Sequence, residues 1–250
     1  MADHFKLTAD DRLALICAKI HRAKHHLADL EIEANKFVDQ YRNARFGNKD
    51  LHTGEVNGPY EMRKVAVISP DMLLIAGDAI HNVRTALDHL IFHLALVGTP
   101  GVDPGRVQFP IAKDACSYEA CKATQVMGVD PLAVKFIDGI KPYHGGEEAF
   151  WRIHELDIID KHRMILTVER DVILEADWMP TGSYMLKTGD PHFSGLQMSD
   201  VEKDIHFRSS ESFGDPEILK RNALVPTIKE LIYFADTKIR EFRPYLQPKI

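Results

Sequence analysis

The chain has 250 residues, 45% hydrophobic and 27% charged, ordinary values for an ordered globular protein with a sizeable core. No stretch approaches the ~20 apolar residues that span a bilayer, and the start Met-Ala-Asp-His-Phe-Lys lacks a signal peptide's apolar core. Cys17, Cys116 and Cys121 are an odd, sparse set that fits a reduced compartment. A cytoplasmic protein with no membrane association is expected. The net charge of -6 weighs against duplex binding by bulk charge, so any nucleic-acid role needs a local basic site.

In chain order, Thr8 is a candidate N-cap, with Asp10 and Asp11 placed where a helix dipole favours negative charge. Leu13, Ile16, Ile20, Ala23, Leu27, Leu30, Ala34, Phe37 and Tyr41 then keep a 3–4 spacing that predicts a long bundle helix. Lys19, His21, Arg22, Lys24, His25 and His26 lie on its flank, as a solvated face or one turned toward a polyanion. Gly47-Asn48 and Asn57-Gly58-Pro59 predict a loop or short hairpin over about 44–68. Ser69-Pro70-Asp71 opens a second helix that runs to about Val97 and stops at Gly98-Thr99-Pro100-Gly101. Shorter helical stretches follow near 115–127 and after Asp130-Pro131, and another fits 147–163. From Met164 to about Phe207 the pattern changes to short β-like runs, among them Met164-Ile165-Leu166-Thr167-Val168 and Ser183-Tyr184-Met185-Leu186. After Pro226, Ile228, Leu231, Ile232, Ala235, Ile239 and Phe242 mark one apolar helix face. The expected fold is a single, mainly α domain over 1–250. It is a helical bundle with long N-terminal helices and a small antiparallel β insertion at about 164–207 before a C-terminal helix.

The second helix carries the most information. At 100° per residue, one half of 77–97 holds Ala79, Ile80, Val83, Ala86, Leu87, Leu90, Ile91, Leu94 and Val97. The other half holds Gly77, Asp78, His81, Asn82, Arg84, Thr85, Asp88, His89 and His93. Solvated helix faces are normally dominated by Lys and Glu; this face has neither. Its residues hold defined geometry, hydrogen-bond or titrate, which points to a polar interface or an active site. Arg84 and His89 are expected to face solvent or a dimer cleft, opposite Ile80, Leu87 and Leu90. The helix at 147–163 has its own polar set: His154, Glu155, Asp157, Asp160, Lys161, His162 and Arg163. No G-x-S-x-G, P-loop or dinucleotide fingerprint occurs.

Gly77-Asp78-Ala79-Ile80-His81-Asn82-Val83-Arg84-Thr85-Ala86-Leu87-Asp88-His89-Leu90 resembles a helix of a family of uncharacterised bacterial proteins reading G-[DE]-x-x-H-N-L-R-S-A-L-D-H-L. Phe109-Pro110-Ile111 and Asp160-Lys161-His162-Arg163 are similar to two later motifs of that family. Arg84 followed five positions on by His89, within a long amphipathic helix, also resembles the motif of the HEPN superfamily of helical ribonucleases and related domains. That resemblance implies a homodimer whose two motif helices line one cleft. It implies RNA cleavage by attack of the ribose 2′-OH on the adjacent phosphorus, with no metal or other cofactor. His89 would be the general base or acid, Arg84 would hold the phosphate, and Asp88 would hold Arg84. His81, Asn82, Thr85, His93, Lys161, His162 and Arg163 would complete the substrate-binding set. The biological role would be that of a toxin or phage-defence effector, with an antitoxin or regulatory protein as a further partner.

Two other readings stay open. In one, an Arg84–Asp88 pair and bonded histidines specify a helix–helix contact, and the chain is a non-catalytic HEPN-like module that binds nucleotide, RNA or protein. In the other, His89 and His93 at i, i+4 present two imidazoles to a metal, with a third ligand from Asp78, His81, His154 or His162, in a metal-dependent helical-bundle hydrolase.

Overall fold

A computed structural model of the chain describes residues 7–45, 69–99, 105–162, 168–176, 184–186, 205–213 and 223–248; for 37–45, 162 and the strands, the backbone alone is described. The chain is mainly helical, as the 3–4 spacing predicts. Its helices are α1 (Ala9–Arg45), α2 (Pro70–Gly98), α3 (Ala115–Gln125), α4 (Pro131–Ile140), α5 (Glu148–His162) and α6 (Leu224–Glu241), the last running into a single 3-10 turn at Arg243–Tyr245. Three backbone strands, β1 (Val168–Ala176), β2 (Tyr184–Leu186) and β3 (Ile205–Phe213), pair antiparallel in the order β2-β1-β3. β3 ends beyond the expected limit of 207. The runs at 163–167, 177–183 and 187–204 lie outside the described residues, as does the expected loop at 46–68.

Local chemistry fixes the helix starts. The Asp11 amide donates to Thr8 Oγ1 (3.1 Å) and the Thr8 amide donates back to Asp11 Oδ2 (2.9 Å), a reciprocal cap that satisfies two otherwise orphaned donors. Ser69 Oγ accepts from the Asp71 amide at 3.2 Å and Asp130 Oδ1 from the Leu132 amide at 2.9 Å. In each case proline follows the cap, where its missing N–H costs nothing.

One core joins these helices. The seam of α1 from Leu13 to Ala34 is buried, as are Ile228, Leu231, Ile232, Ala235 and Ile239 of α6. α2 is the central element, in contact with α1, α5 and α6. Ion pairs fasten the rim: Lys24 Nζ lies 2.6 Å from Asp236, and Arg243 reaches Asp10 with Nε and Nη2 at 2.7 and 2.8 Å. Lys24 thus belongs to the α1–α6 contact, which removes it from any patch turned toward a polyanion.

The end of α2 is shaped by a close approach. The Thr99 amide donates to the Gly128 carbonyl at 2.9 Å, and a Cβ on Gly98 would collide with that same carbonyl and with the Asp130 amide. Both obstacles are backbone, so neither moves cheaply. Gly98→Ala is expected to cost about 1–3 kcal/mol, the size of an overpacked core site. A thermal melt should show it, at roughly 2–4 °C per kcal/mol for a chain this long.

Candidate functional site

Glycine opens a polar seam between α2 and α5. A Cβ on Gly77 would strike the Asp160 carboxyl, so glycine leaves the room in which that carboxylate lies between the two helices, and a larger residue would turn it away. Four positions on, His81 Nδ1 lies 3.0 Å from Asp157 Oδ1. The other oxygen of Asp157 accepts from Lys161 Nζ at 2.7 Å. As α2 numbers rise, the facing α5 numbers fall, so the helices run antiparallel here. His81, Arg84 and Asp88 follow the i+3/i+4 rule on one side of the seam; His154, Asp157 and Lys161 follow it on the other.

Asp157 is buried while its partners are open, with side-chain exposures of 45% for His81 and 40% for Lys161. A buried carboxylate shared by two half-exposed cation-forming groups fixes both in direction. Bonded at Nδ1 to an acceptor, neutral His81 carries its proton there and keeps the Nε2 lone pair free. Thr85 Oγ1 stands 3.5 Å from that nitrogen, at the limit of hydrogen-bond reach. Burial and the charges of Asp157 and Asp78 push the Asp160 carboxyl up, against His81 and Lys161.

Arg84 corrects the expectation that it faces solvent or a dimer cleft: it is 4% exposed. Nη2 donates to the Phe109 carbonyl at 3.1 Å, and Nη1 lies 2.9 Å from Asp88 Oδ1 as an ion pair without hydrogen-bond alignment. The same Asp88 oxygen accepts from the Phe109 amide at 2.9 Å. Arg84 and Asp88 together clamp both main-chain polar groups of Phe109. Burial lowers the guanidinium's affinity for its proton, with Asp88 and Asp157 opposing; arginine stays charged at neutral pH regardless. Burial likewise pushes Asp88 up, against the pull of Arg84 and the Phe109 amide. His93 is a second correction, buried at 6%. The wheel placed both on a polar half, but α2 is packed on several sides, and polarity there marks a partner helix or strap rather than water.

His89 keeps its expected exposure. Burial and the charge of Lys19 on α1 hold its imidazole below the ordinary value, with Asp88 opposing. His81 and His89 are about 80° apart around the α2 axis, and their charged neighbours differ: His89 senses Lys19 and Asp88, whereas His81 is bonded to Asp157 on α5. Asn82 donates Nδ2 to the Asp78 carbonyl at 2.8 Å and remains half-exposed. The side chain of His162 and all of Arg163 lie outside the described residues. Among the described residues, no three of His, Cys, Asp and Glu gather as metal ligands. The His89–His93 pair splits into one exposed and one buried ring.

The D-K-H-R, F-P-I and long helix motifs therefore meet at one place: Asp160 against Gly77, Lys161 on the carboxylate that holds His81, and Phe109 in the Arg84–Asp88 clamp. Sequence reasoning did not single out Asp157 as the hub, since a carboxylate in a helix of mixed charges looks ordinary. Its offset from His154 and Lys161 (i+3 and i-4) was the available signal. His154 completes the seam. Its Nδ1 is buried without a hydrogen-bond partner among the described residues, and burial, with Arg84 next, pulls its pKa down to about 4. Comparison with family models, with curated proteins and with solved structures finds no match.

Two outcomes follow from this geometry. Arg84→Ala takes the cation from Asp88 and the donor from the Phe109 carbonyl and should cost ~1–3 kcal/mol, the penalty for an unsatisfied buried polar group. His89→Ala should stay within about 0.5 kcal/mol as a surface change; chemical denaturation distinguishes the two. For His154, the folded pKa lies below the ordinary 6.5, so between pH 6.5 and about 4 the unfolded chain binds the extra proton. Its contribution is present above pH 6.5 and lost as pH falls through that window. His154→Gln should therefore flatten the fall in Tm between pH 7 and pH 4.5 relative to wild type.

Proposed function

We propose that the chain is a metal-independent endoribonuclease, as the HEPN-like resemblance implies, but with the acid–base role moved from the motif's His89 to His81. The observation that carries this reading is a half-exposed imidazole oriented through Nδ1 by a buried carboxylate, with a lysine ammonium on the same carboxylate. Cleavage by 2′-OH attack needs a base for the hydroxyl proton and positive charge near the phosphate. The free lone pair of His81 Nε2 takes the 2′-OH proton as the O2′–phosphorus bond forms. The phosphorus–O5′ bond breaks, and the leaving oxygen takes a proton from water, giving a cyclic phosphate and a 5′-hydroxyl. Lys161 supplies the charge, and Thr85 and Asn82 flank the ribose. Arg84 acts as a positioning residue, since its donors are committed to Phe109 and Asp88.

The remaining parts of the reading belong to the same proposal. The active species is a homodimer closed over the exposed His89 side of α2, in a cytoplasmic toxin or phage-defence effector restrained by an antitoxin or regulatory protein. The expected small antiparallel β insertion is carried by β1, β2 and β3, within one HEPN-like domain over 1–250. The commitment of Arg84 to internal partners favours a second reading, a non-catalytic HEPN-like module that binds nucleotide, RNA or protein through the same open edge of the seam.

The test is incubation of purified protein with a defined RNA in EDTA, followed by analysis of the new ends. Cyclic phosphate ends are expected, with His81→Ala reducing the rate by ~100- to 10,000-fold and Asp157→Asn also impairing it. RNA binding without turnover selects the second reading. If His89→Ala abolishes cleavage and His81→Ala does not, the acid–base role belongs to His89 and the assignment to His81 fails.

A further inference from the structure

Beside the seam, at the start of α5, stands a row of three rings. His144 and Trp151 have centroids 6.0 Å apart with planes 33° from parallel, and Trp151 and His154 are 6.1 Å apart at 47°. Trp151 is partly buried: its indole packs against the core while part of it still reaches solvent, the apolar-body, open-edge placement that suits tryptophan to a ligand surface. The row is held from below. His144 Nδ1 lies 3.0 Å from Glu148 Oε2, whose other oxygen accepts from the Gly145 amide at 2.7 Å. Lys141 is exposed on the preceding turn and Arg152 follows Trp151, its Nε without a hydrogen-bond partner among the described residues. Glu147, and Glu155 one turn on from Trp151, are partly exposed carboxylates nearby. His154 belongs to both sites: its ring pairs with Trp151, and its charge environment is set by Arg84, Asp157 and Lys161.

Aromatic rings with interleaved cations are what unpaired nucleic acid uses, because every base offers a π-face and every linkage a negative charge. We propose that Trp151, flanked by His144 and His154, is the stacking platform for an unpaired base of RNA whose backbone runs along the His81–Lys161 edge of the seam. This rests on the ribonuclease reading for the identity of the ligand and extends it by naming single-stranded RNA as the substrate class. A duplex cannot offer a base face without unstacking it, so paired RNA is a poor ligand for this platform.

The experiment uses the full chain and a fluorescent 12-nucleotide oligoadenylate with 2′-O-methyl riboses, which cannot be cut by 2′-OH attack. Trp151→Ala is expected to weaken binding by about 5- to 100-fold, the worth of one base–aromatic stack. Trp151→Phe should lose much less, and the salt dependence should be unchanged because no phosphate contact is removed. In a Trp178→Phe background, the fluorescence of the remaining Trp151 should be quenched by the same oligonucleotide, a readout that does not depend on the alanine variant folding. Equal affinity of wild type and Trp151→Ala, or absent quenching while the oligonucleotide binds, overturns the platform. Cleavage of ordinary RNA, followed separately, keeps the two ideas apart. Turnover that ignores Trp151→Ala removes the platform alone. Trp151-dependent binding without turnover keeps the platform and removes the nuclease. Neither binding nor cleavage by the wild type removes both.

Discussion

The arrangement depends on one buried cation. Arg84 sits at 4% exposure in the most central helix, a position no charged side chain takes without compensation. Its compensation comes from two directions, a carboxylate one turn along the same helix and the carbonyl of a distant extended segment. A hydrophobic residue there would pack α2 just as tightly, but it would not select Phe109 from other places along the chain. Arg84 and Asp88 together read both polar groups of a single peptide segment. That is a specification of register, which apolar packing by itself supplies poorly.

The same logic extends down the seam. Between α2 and α5, contact is made by a glycine under a carboxylate and then by a histidine on a carboxylate; one turn further along α2 the arginine clamp takes hold of Phe109. Each is a directional contact, and successive ones fall about a turn apart, so a slip of α2 along its axis breaks all of them at once. The polar edge left open to solvent is a by-product of that geometry. Because Asp157 is buried and its two partners are not, the edge offers an imidazole and an ammonium held in fixed directions, which is preorganisation of the kind acid–base chemistry needs.

Much of the fold was legible. Caps at Thr8, Ser69 and Asp130 and the 3–4 spacing of α1 and α6 are local signals, decided within a few residues, and local signals survive into the structure. The polar half of α2 was legible as unusual, and the i, i+4 pairing of Arg84 with Asp88 was anticipated in both the catalytic and the helix–helix reading. Which side that half faced was not. A helical wheel reports which residues share a side but not what lies opposite, and a helix surrounded on several sides buries polar groups wherever a neighbour brings a partner. The partners of Arg84 and His81 are 25 and 76 residues away, and no periodicity encodes a contact of that span. Trp151 escaped notice for a related reason: it does pack against the core, and only the placement of His144 and His154 beside it shows the row of rings.

Phe109 ties distant parts of the molecule into one mechanical unit. Its main chain is gripped by α2, its ring lies against Phe150 of α5 at 5.0 Å, and its edge meets Phe242 at the end of α6 at 6.5 Å. Any movement that loosens the seam must therefore drag this residue, and with it the C-terminal helix, although that helix is separated from α5 by some sixty residues of chain. Conversely, a displacement of Phe242 presses edge-on against the Phe109 ring, whose backbone Arg84 holds. A single phenylalanine thus acts as a transmission rod between the end of α6 and the polar interior.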